Sequence, residues 1–338
     1  MIYVHVPFCR SFCSYCDFYS ELSCKGKDGK LIGGWLESLK REISARRSET
    51  DSTLGTSTLY IGGGTPSVLP LSVIGEIVEA LGKGPYEEFT IEVNPEDIVE
   101  KGAEYVKGLL EAGVTRISMG VQSLDNGILK WMNRRHDADG ARKAMALLRE
   151  CGCDNVSLDL IFGISILPTE KLESTLDEIL SFHPEHLSAY QLSIEEGSAL
   201  AELVEKGLYQ EADEELCRRQ YELIGGRLAA AGYHHYEISN WAVPGKEAVH
   251  NSAYWTREPY VGFGPGAHSF LIGADGTQRR FWNSRELKHW TSEGETLTAE
   301  QIREEELMLG LRTDKGFGGT VIPEKDWFIS EKIISEMI

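Results

Sequence analysis

Short and almost wholly apolar runs alternate along the chain with longer segments in which apolar residues recur at helical spacing. Runs of this kind are typical of parallel strands that are covered on both faces. The pattern therefore predicts repeated βα units. The six predicted strands are Ile2 to Val6, Thr58 to Ile61, Phe89 to Val93, Arg116 to Val121, Val156 to Phe162 and His186 to Leu192.

The segments that follow the strands predict amphipathic helices, because their apolar residues fall on one face at a period of 3.6. In the first two helices these residues are Trp35, Leu36, Leu39 and Ile43, and then Val73, Ile74, Ile77, Val78 and Leu81. Right-handed βα units form either an open doubly wound sheet or a barrel. Unusual residues cluster just after successive strands, and barrel enzymes concentrate their chemistry at that face. We therefore expect a partial (β/α)6 barrel of TIM type.

The pattern changes beyond about Ala231, where aromatic, histidine-rich and glycine-rich segments precede an acidic helix predicted from Thr298 to Leu311. We predict a core domain over residues 1–231 and a smaller α+β domain over residues 232–338, which we expect to be a short form.

The composition limits the class of protein. The 338 residues include 34 Lys and Arg against 53 Asp and Glu, a net charge of -19 that disfavours nucleic acid and anionic lipid as partners. No apolar run is long enough to span a bilayer, and the first residues lack the features of a secretory signal. Seven cysteines without such a signal favour reduced thiols in the cytoplasm.

Three of the cysteines, Cys9, Cys13 and Cys16, lie within eight residues directly after the first predicted strand. Three thiolates do not complete a tetrahedral zinc site, although Cys24 could supply a fourth ligand. A cubane iron–sulfur cluster with three cysteine ligands keeps one iron open to an outside molecule. We favour the [4Fe-4S] cluster and keep the zinc site with Cys24 as the alternative.

The C-x3-C-x2-C spacing followed by Asp17-Phe18 resembles the radical S-adenosylmethionine (SAM) superfamily. The resemblance implies that SAM chelates the open iron through its amino and carboxylate groups. In such proteins the cofactor carries the difficult chemistry.

Other segments supply candidate cofactor contacts. Gly62-Gly63-Gly64-Thr65 follows the second strand and would let a ligand approach the backbone, although it is also an acceptable tight turn. Glu92 and Asp159 lie inside apolar strands, where a carboxylate is costly without a partner. Gln122 and Arg134 complete the polar set.

In order and spacing these segments resemble, from Tyr3 to about Arg312, the oxygen-independent coproporphyrinogen III oxidase family and its HemW-type relatives, which are heme chaperones. One departure is Gly163-Ile164-Ser165-Ile166-Leu167-Pro168, where the family usually has Gly-Ile-Pro-Gly. The resemblance implies that Cys9, Cys13 and Cys16 hold the cluster, that Tyr15 lines the cluster loop, and that Tyr3, Gly63, Gly64, Thr65, Glu92, Gln122, Arg134 and Asp159 contact SAM.

Two features favour the chaperone branch of this family. The oxidases have a further cysteine where this chain has Phe18, and they have a long N-terminal extension, which we expect to be absent here. His250, Asn251, Tyr254 and Trp255 match the HNxxYW motif of the chaperones. A histidine beside aromatic rings suits heme, although the same residues could simply pack in a core.

The resemblance thus implies a protein that binds heme and delivers it to acceptor proteins. The alternative is oxidative decarboxylation of coproporphyrinogen III, so enzyme activity is left open. Implied partners are heme or a porphyrin, acceptor proteins and an electron donor for the cluster, with homodimer formation open. His268 ranks below His250 as a heme ligand, and His234-His235 below both. No role is assigned to Cys151, Cys153 or Cys217.

Overall fold

The computed structural model describes residues 1–22, 28–52, 58–82 and 84–338, so Cys24 lies outside the described residues. The strands are β1 (Ile2–Val6), β2 (Phe8–Cys9), β3 (Glu21–Leu22), β4 (Thr58–Gly63), β5 (Glu88–Val93), β6 (Arg116–Gln122), β7 (Val156–Phe162), β8 (His186–Gln191), β9 (His234–Glu237), β10 (Asn240–Ala242), β11 (Val261–Phe263), β12 (His268–Ile272), β13 (Gln278–Asn283) and β14 (Ser292–Thr296).

The helices cover the sheet and the C-terminal part of the chain. They are α1 (Asp28–Ala45), α2 (Arg47–Ser52), α3 (Leu71–Leu81), α4 (Pro95–Glu111), α5 (Asn126–Trp131), α6 (Ala138–Glu150), α7 (Thr169–Ser181), α8 (Ala199–Glu205), α9 (Glu214–Ala230), α10 (Val249–Trp255), α11 (Ala299–Gly310) and α12 (Ser330–Ser335), with 3-10 helices at Pro66–Val68 and Glu324–Ile329. Within the described ranges, no helix combines the length and the apolar character that crossing a bilayer requires.

A nine-stranded sheet with the order β11-β1-β4-β5-β6-β7-β8-β10-β9 forms the centre of the fold. The six predicted strands are β1 and β4 to β8, and they pair in parallel with their sequence neighbours. Their observed ends lie within one or two residues of the predicted ends. In the described residues no pairing joins the edge strands β9 and β11. The sheet is therefore an unclosed, partial barrel, as expected.

The two faces of the strands differ in chemistry because successive side chains point to opposite sides. In β6, Ile117, Met119 and Val121 are buried in the apolar core beneath the helices. Arg116 and Gln122, at the two ends of the same strand, instead line the concave interior. The predicted apolar helical faces are confirmed in α1, where Trp35, Leu36, Leu39 and Ile43 are all buried, and in α3. The concave face of the sheet is thus polar, and the convex face, which the helices cover, is apolar.

The chain beyond residue 231 contributes to the same sheet. β10 pairs antiparallel with β8 and with β9, while β11 pairs in parallel with β1 at the other edge. β12, β13 and β14 form a separate antiparallel sheet, and Leu311, Ile322, Trp327 and Ile334 form a second apolar cluster. The predicted acidic helix is α11, which Thr298 caps. The domain boundary at 231 stays a prediction, and the central sheet continues across it.

Candidate functional site

A cavity of about 1160 Å³ occupies the concave interior and extends to the carboxyl ends of the parallel strands. It contains most of the side chains that the sequence analysis selected. Those in its wall are Cys9, Cys13, Tyr15, Cys16, Gly63, Gly64, Thr65, Glu92, Gln122, Arg134, Asp159 and Asn251. Tyr3, His250, Tyr254 and Trp255 are not in the wall.

The cysteine loop is held at both ends and in the middle. At the ends, β2 pairs with β3. In the middle, the Ser14 amide donates a hydrogen bond to the Met132 carbonyl at 3.1 Å, and the Leu200 amide donates one to the Ser14 carbonyl at 2.8 Å. The Asn133 side chain also donates to the Phe12 carbonyl at 2.7 Å. These bonds fix the loop against α5 and α8, so the three thiols face the cavity on a braced backbone.

The three cysteine thiols lie together in the cavity wall. In the described parts of the chain, no three histidine, cysteine or carboxylate side chains are close enough to share one metal ion. A cubane cluster places each thiolate on a different iron and so needs a wider spacing. Arg134 Nη1 donates to Cys13 Sγ at 3.5 Å, so a guanidinium lies beside one of the thiols that would bind metal. Burial raises the pKa of Cys16 to about 11, so metal binding must displace its proton.

Residues 64 and 65 of the glycine loop lie directly against the backbone of β1 and β2. The Gly64 amide donates to the Val6 carbonyl at 2.8 Å, and the Thr65 amide donates to the Phe8 carbonyl at 2.8 Å. A β-carbon on Gly64 would lie 2.8 Å from that Phe8 oxygen, too close for any other residue. Gly63 adopts φ 114°, a conformation that favours glycine. The close approach that the structure shows is to the backbone of β1 and β2. Approach of a ligand to this loop stays a prediction.

Glu92 and Asp159 obtain their partners from neighbouring strands. The Tyr60 hydroxyl donates to Glu92 at 2.8 Å, and the Gly63 amide donates to it at 3.1 Å. The Ser118 hydroxyl donates to Asp159 at 3.4 Å. Burial raises the pKa of Glu92 to about 7 and that of Asp159 to about 6. Both carboxyls can therefore exchange a proton near neutral pH.

Arg134 and Gln122 lie at the carboxyl end of β6. Arg134 Nη2 donates to Asn94 Oδ1 and to the Gly120 carbonyl, each at 2.7 Å. Asn94 in turn donates to Thr65 Oγ1 at 3.3 Å, and Thr65 Oγ1 lies 3.4 Å from Cys9 Sγ. Gln122 has φ 65°, which turns the backbone out of the strand. A hydrogen-bonded chain thus connects the glycine loop, Arg134 and the cysteines.

Of the predicted heme motif, Asn251 lies in the cavity wall, while His250, Tyr254 and Trp255 lie outside it. His250 is 1% exposed. Its Nδ1 lies 2.8 Å from Thr58 Oγ1 and its Nε2 lies 2.9 Å from the Tyr254 hydroxyl. Burial lowers the pKa of His250 to about 3. Both ring nitrogens are therefore engaged within the protein, and iron ligation by His250, which stays a prediction, requires one of these bonds to open. Asn251, the next residue, lines the cavity.

Tyr3 also has its partners inside the protein. Its hydroxyl lies 3.0 Å from His5 Nδ1, and its ring lies 6.1 Å from the Tyr60 ring. Further residues of the cavity wall were not predicted from the sequence, among them Tyr60, Arg116, Ser118, Ser188 and Tyr190. The two-residue period of a strand could have found Arg116 and Ser118, because they lie six and four residues before Gln122 on the same strand.

Comparisons with known proteins identify the family of the chain. Residues 3–179 match the family model of the radical SAM superfamily. The chain is 34% identical to the heme chaperone HemW of Bacillus subtilis over 96% of this chain and 86% of that protein. The chain is a HemW-like member of the radical SAM superfamily. It is also 33% identical to the heme chaperone HemW of Lactococcus lactis, over 99% of this chain and 87% of that protein.

A solved structure shows the same fold as this HemW-like chain. The coproporphyrinogen III oxidase HemN of Escherichia coli, described as a radical SAM enzyme, aligns with a TM-score of 0.74 over 93% of this chain and 75% of that one. The two are 21% identical, so the likeness concerns the fold alone.

Membership of the superfamily implies a [4Fe-4S] cluster and SAM, and the residues present fit both. Cys9, Cys13 and Cys16 would hold the cluster, with Arg134 beside Cys13 offsetting thiolate charge. The orphaned Nε of Arg134, buried in the wall, is a donor still available to a ligand. When bound, the two cofactors supply one-electron cleavage of the sulfonium to an adenosyl radical. The individual SAM contacts predicted from the sequence stay predictions.

Replacing Cys13 by alanine tests the cluster site. We expect Cys13→Ala to lose most of the iron and acid-labile sulfide that anaerobic reconstitution gives the wild type, because one iron loses its thiolate. Cys217→Ala is the matched control, since Cys217 is a core cysteine that is 3% exposed and lies outside the cavity wall. Equal iron and sulfide in Cys13→Ala and the control would refute the assignment.

The raised pKa of Glu92 predicts a pH dependence of stability. Between pH 4.5 and about 7 the folded state keeps a proton that the unfolded state has lost, so the contribution of Glu92 to stability is complete below pH 4.5 and is lost as the pH rises through 7. We expect Glu92→Gln to lack this loss, which amounts to at most about 1.4 kcal/mol per pH unit.

Urea unfolding from pH 4.5 to pH 8 measures this effect. The stability of Glu92→Gln relative to the wild type should rise up to about pH 7 and then level off. Glu150→Gln, at an exposed position on α6, is the control. A flat difference for Glu92→Gln would show that the carboxyl is already ionised throughout.

Proposed function

We propose that this chain binds heme and delivers it to an acceptor protein in the cytoplasm. The observation that carries the proposal is the set of curated relatives described as heme chaperones HemW. They are 31% to 34% identical and cover between 93% and 99% of this chain. Likeness at this level along almost the whole chain includes both the cavity and the C-terminal elements around it.

The cysteine loop also favours a chaperone over an oxidase. Phe18 occupies the place where, by the resemblance described above, the oxidases carry a further cysteine. The Phe18 side chain is 67% exposed and lines the outer part of the cavity. Phe12, on the same loop, is 47% exposed. The loop therefore presents apolar rings, which suit contact with a macrocycle or a partner protein.

The size of the cavity supports a second ligand beside the cofactor. Its volume of about 1160 Å³ exceeds the range of about 300–1,000 Å³ that is usual for one small molecule. The chain's own groups would orient the ligands: Arg134 and Asn94 at the cluster end, and Glu92 and Asp159 in the interior. The partners of this function are heme, a heme-acceptor protein and a reductant for the cluster, with homodimer formation an open part of the proposal.

Two assays on one anaerobic preparation test the function. The reconstituted protein should bind heme with a saturable change in its absorption spectrum and should transfer that heme to an apoprotein. It should give no protoporphyrinogen from coproporphyrinogen III in the presence of SAM and a reductant. Product formation that disappears in Cys9→Ala would establish the oxidase instead, and the absence of heme binding would refute the chaperone.

The role of His250 has a sharper test than its removal alone. Tyr254→Phe keeps the ring beside Tyr260, 4.8 Å away, but removes the hydroxyl bonded to Nε2 of His250. If His250 binds heme iron, Tyr254→Phe should bind heme at least as tightly as the wild type, because one bond no longer has to open. His250→Ala should lose the histidine-ligated spectrum. His289→Ala, at an exposed position with no predicted role in heme binding, is the control. An unchanged spectrum in His250→Ala would remove His250 from the site.

A further inference from the structure

Arg116 is a buried guanidinium that pairs with no side chain in the part of the chain that the structure describes. The residue is 2% exposed, yet it lines the cavity. Its Nε is buried with no hydrogen bond, and among the described residues its guanidinium has no recorded hydrogen bond and no carboxylate within 4.0 Å. A buried charge is costly unless it is paired and hydrogen-bonded. The cavity therefore contains an unsatisfied cation at its inner end.

The strand register defines where this cation lies. Thr90 pairs with Arg116, and Glu92 pairs with Ser118. Arg116 is therefore one inward position below the level of Glu92, farther from the cysteine loop at the carboxyl ends of the strands. The glycine loop, Arg134 and the cysteines all lie at the opposite end of the cavity. Arg116 thus belongs to a part of the wall that is separate from the cluster.

The nearby carboxyls of Glu92 and Asp159 form no direct ion pair with Arg116 in the described structure. The positive charge of Arg116 acts on both Glu92 and Asp159, but burial has the larger effect and raises the pKa of Glu92 to about 7 and that of Asp159 to about 6. Glu92 accepts its hydrogen bonds from the Tyr60 hydroxyl and the Gly63 amide, and Asp159 accepts one from the Ser118 hydroxyl. An ordinary structural arginine would have one of these carboxylates in direct contact.

A second unsatisfied donor lies in the same wall. The side chain of Asn251 lines the cavity and has no recorded hydrogen bond to any described residue. It is held there by α10, whose first amides, those of Val249 and His250, donate to Glu88 at 2.8 Å and 3.1 Å. A guanidinium and a carboxamide are donors that recognise a carboxylate, and the planar guanidinium matches it in a bidentate manner.

We propose that Arg116, assisted by Asn251, binds a carboxylate of the ligand that enters the barrel, and that in the heme-binding protein this group is a propionate of the tetrapyrrole. The inference rests on the proposed function and identifies the end of the cavity at which the ligand's acid groups lie. The other source of the same chemistry is the carboxylate of SAM, which belongs near the cluster, at the opposite end of the cavity.

Heme and its dimethyl ester separate these cases, because esterification removes the negative charges and keeps the macrocycle. The wild type should bind heme about tenfold or more tightly than the diester, as expected for loss of a charge-assisted pair. Arg116→Met should bind heme about tenfold or more weakly and should barely distinguish the two ligands. SAM affinity should be the same in both proteins. Arg279→Met, an exposed arginine on β13, is the control for net charge.

Arg116→Lys keeps the positive charge and should retain part of the preference for heme over the diester. It therefore serves as the test if Arg116→Met folds poorly. Equal binding of heme and the diester by the wild type would overturn the subsite while leaving heme binding intact. Loss of SAM binding in Arg116→Met, with the preference for heme retained, would assign the carboxylate to SAM and also overturn the inference. A wild type that binds neither tetrapyrrole would refute the proposed function and the subsite with it.

Discussion

The two-residue period of the parallel strands is the constraint on which the rest of the structure depends. Because the helices cover the outer face, one set of alternate residues must be apolar, and the other set is free to be polar. In β6 the outward residues are Ile117, Met119 and Val121, while Arg116 and Ser118 face the cavity. A shift of one residue in this strand would bury the guanidinium under a helix and place methionine in the site. Packing of the core and placement of the functional groups are therefore a single requirement.

The carboxyl end of the sheet adds a second requirement, which is that two loops support each other. The glycine loop after β4 bonds to the backbone of β1 and β2, and β2 ends at Cys9. Arg134 then connects Cys13 with Asn94 and Gly120. The thiols are thus positioned by backbone bonds and by one arginine.

The sequence predicted the parts of the fold that depend on local pattern. All six predicted strands were found because apolar residues predominate in them, even though polar side chains such as Glu92 and Asp159 face the cavity. The three-residue strands β10 and β11 were not found, since their place in the sheet depends on pairing with distant strands. The partners of Glu92 were missed for the same reason, because Tyr60 meets it only through the register of β4 and β5. His250 was selected by its motif, but its bonds to Thr58 and Tyr254 follow from tertiary packing.

The central claim is that three cysteines hold a cluster with one iron open to SAM at the mouth of a polar barrel. Mössbauer spectroscopy of the anaerobically reconstituted protein, recorded before and after SAM is added, tests it most directly. The account predicts that SAM changes the signal of one iron in four and leaves the other three as they were. A spectrum that SAM does not alter, or metal analysis showing one zinc ion held with Cys24 as the fourth ligand, would contradict it.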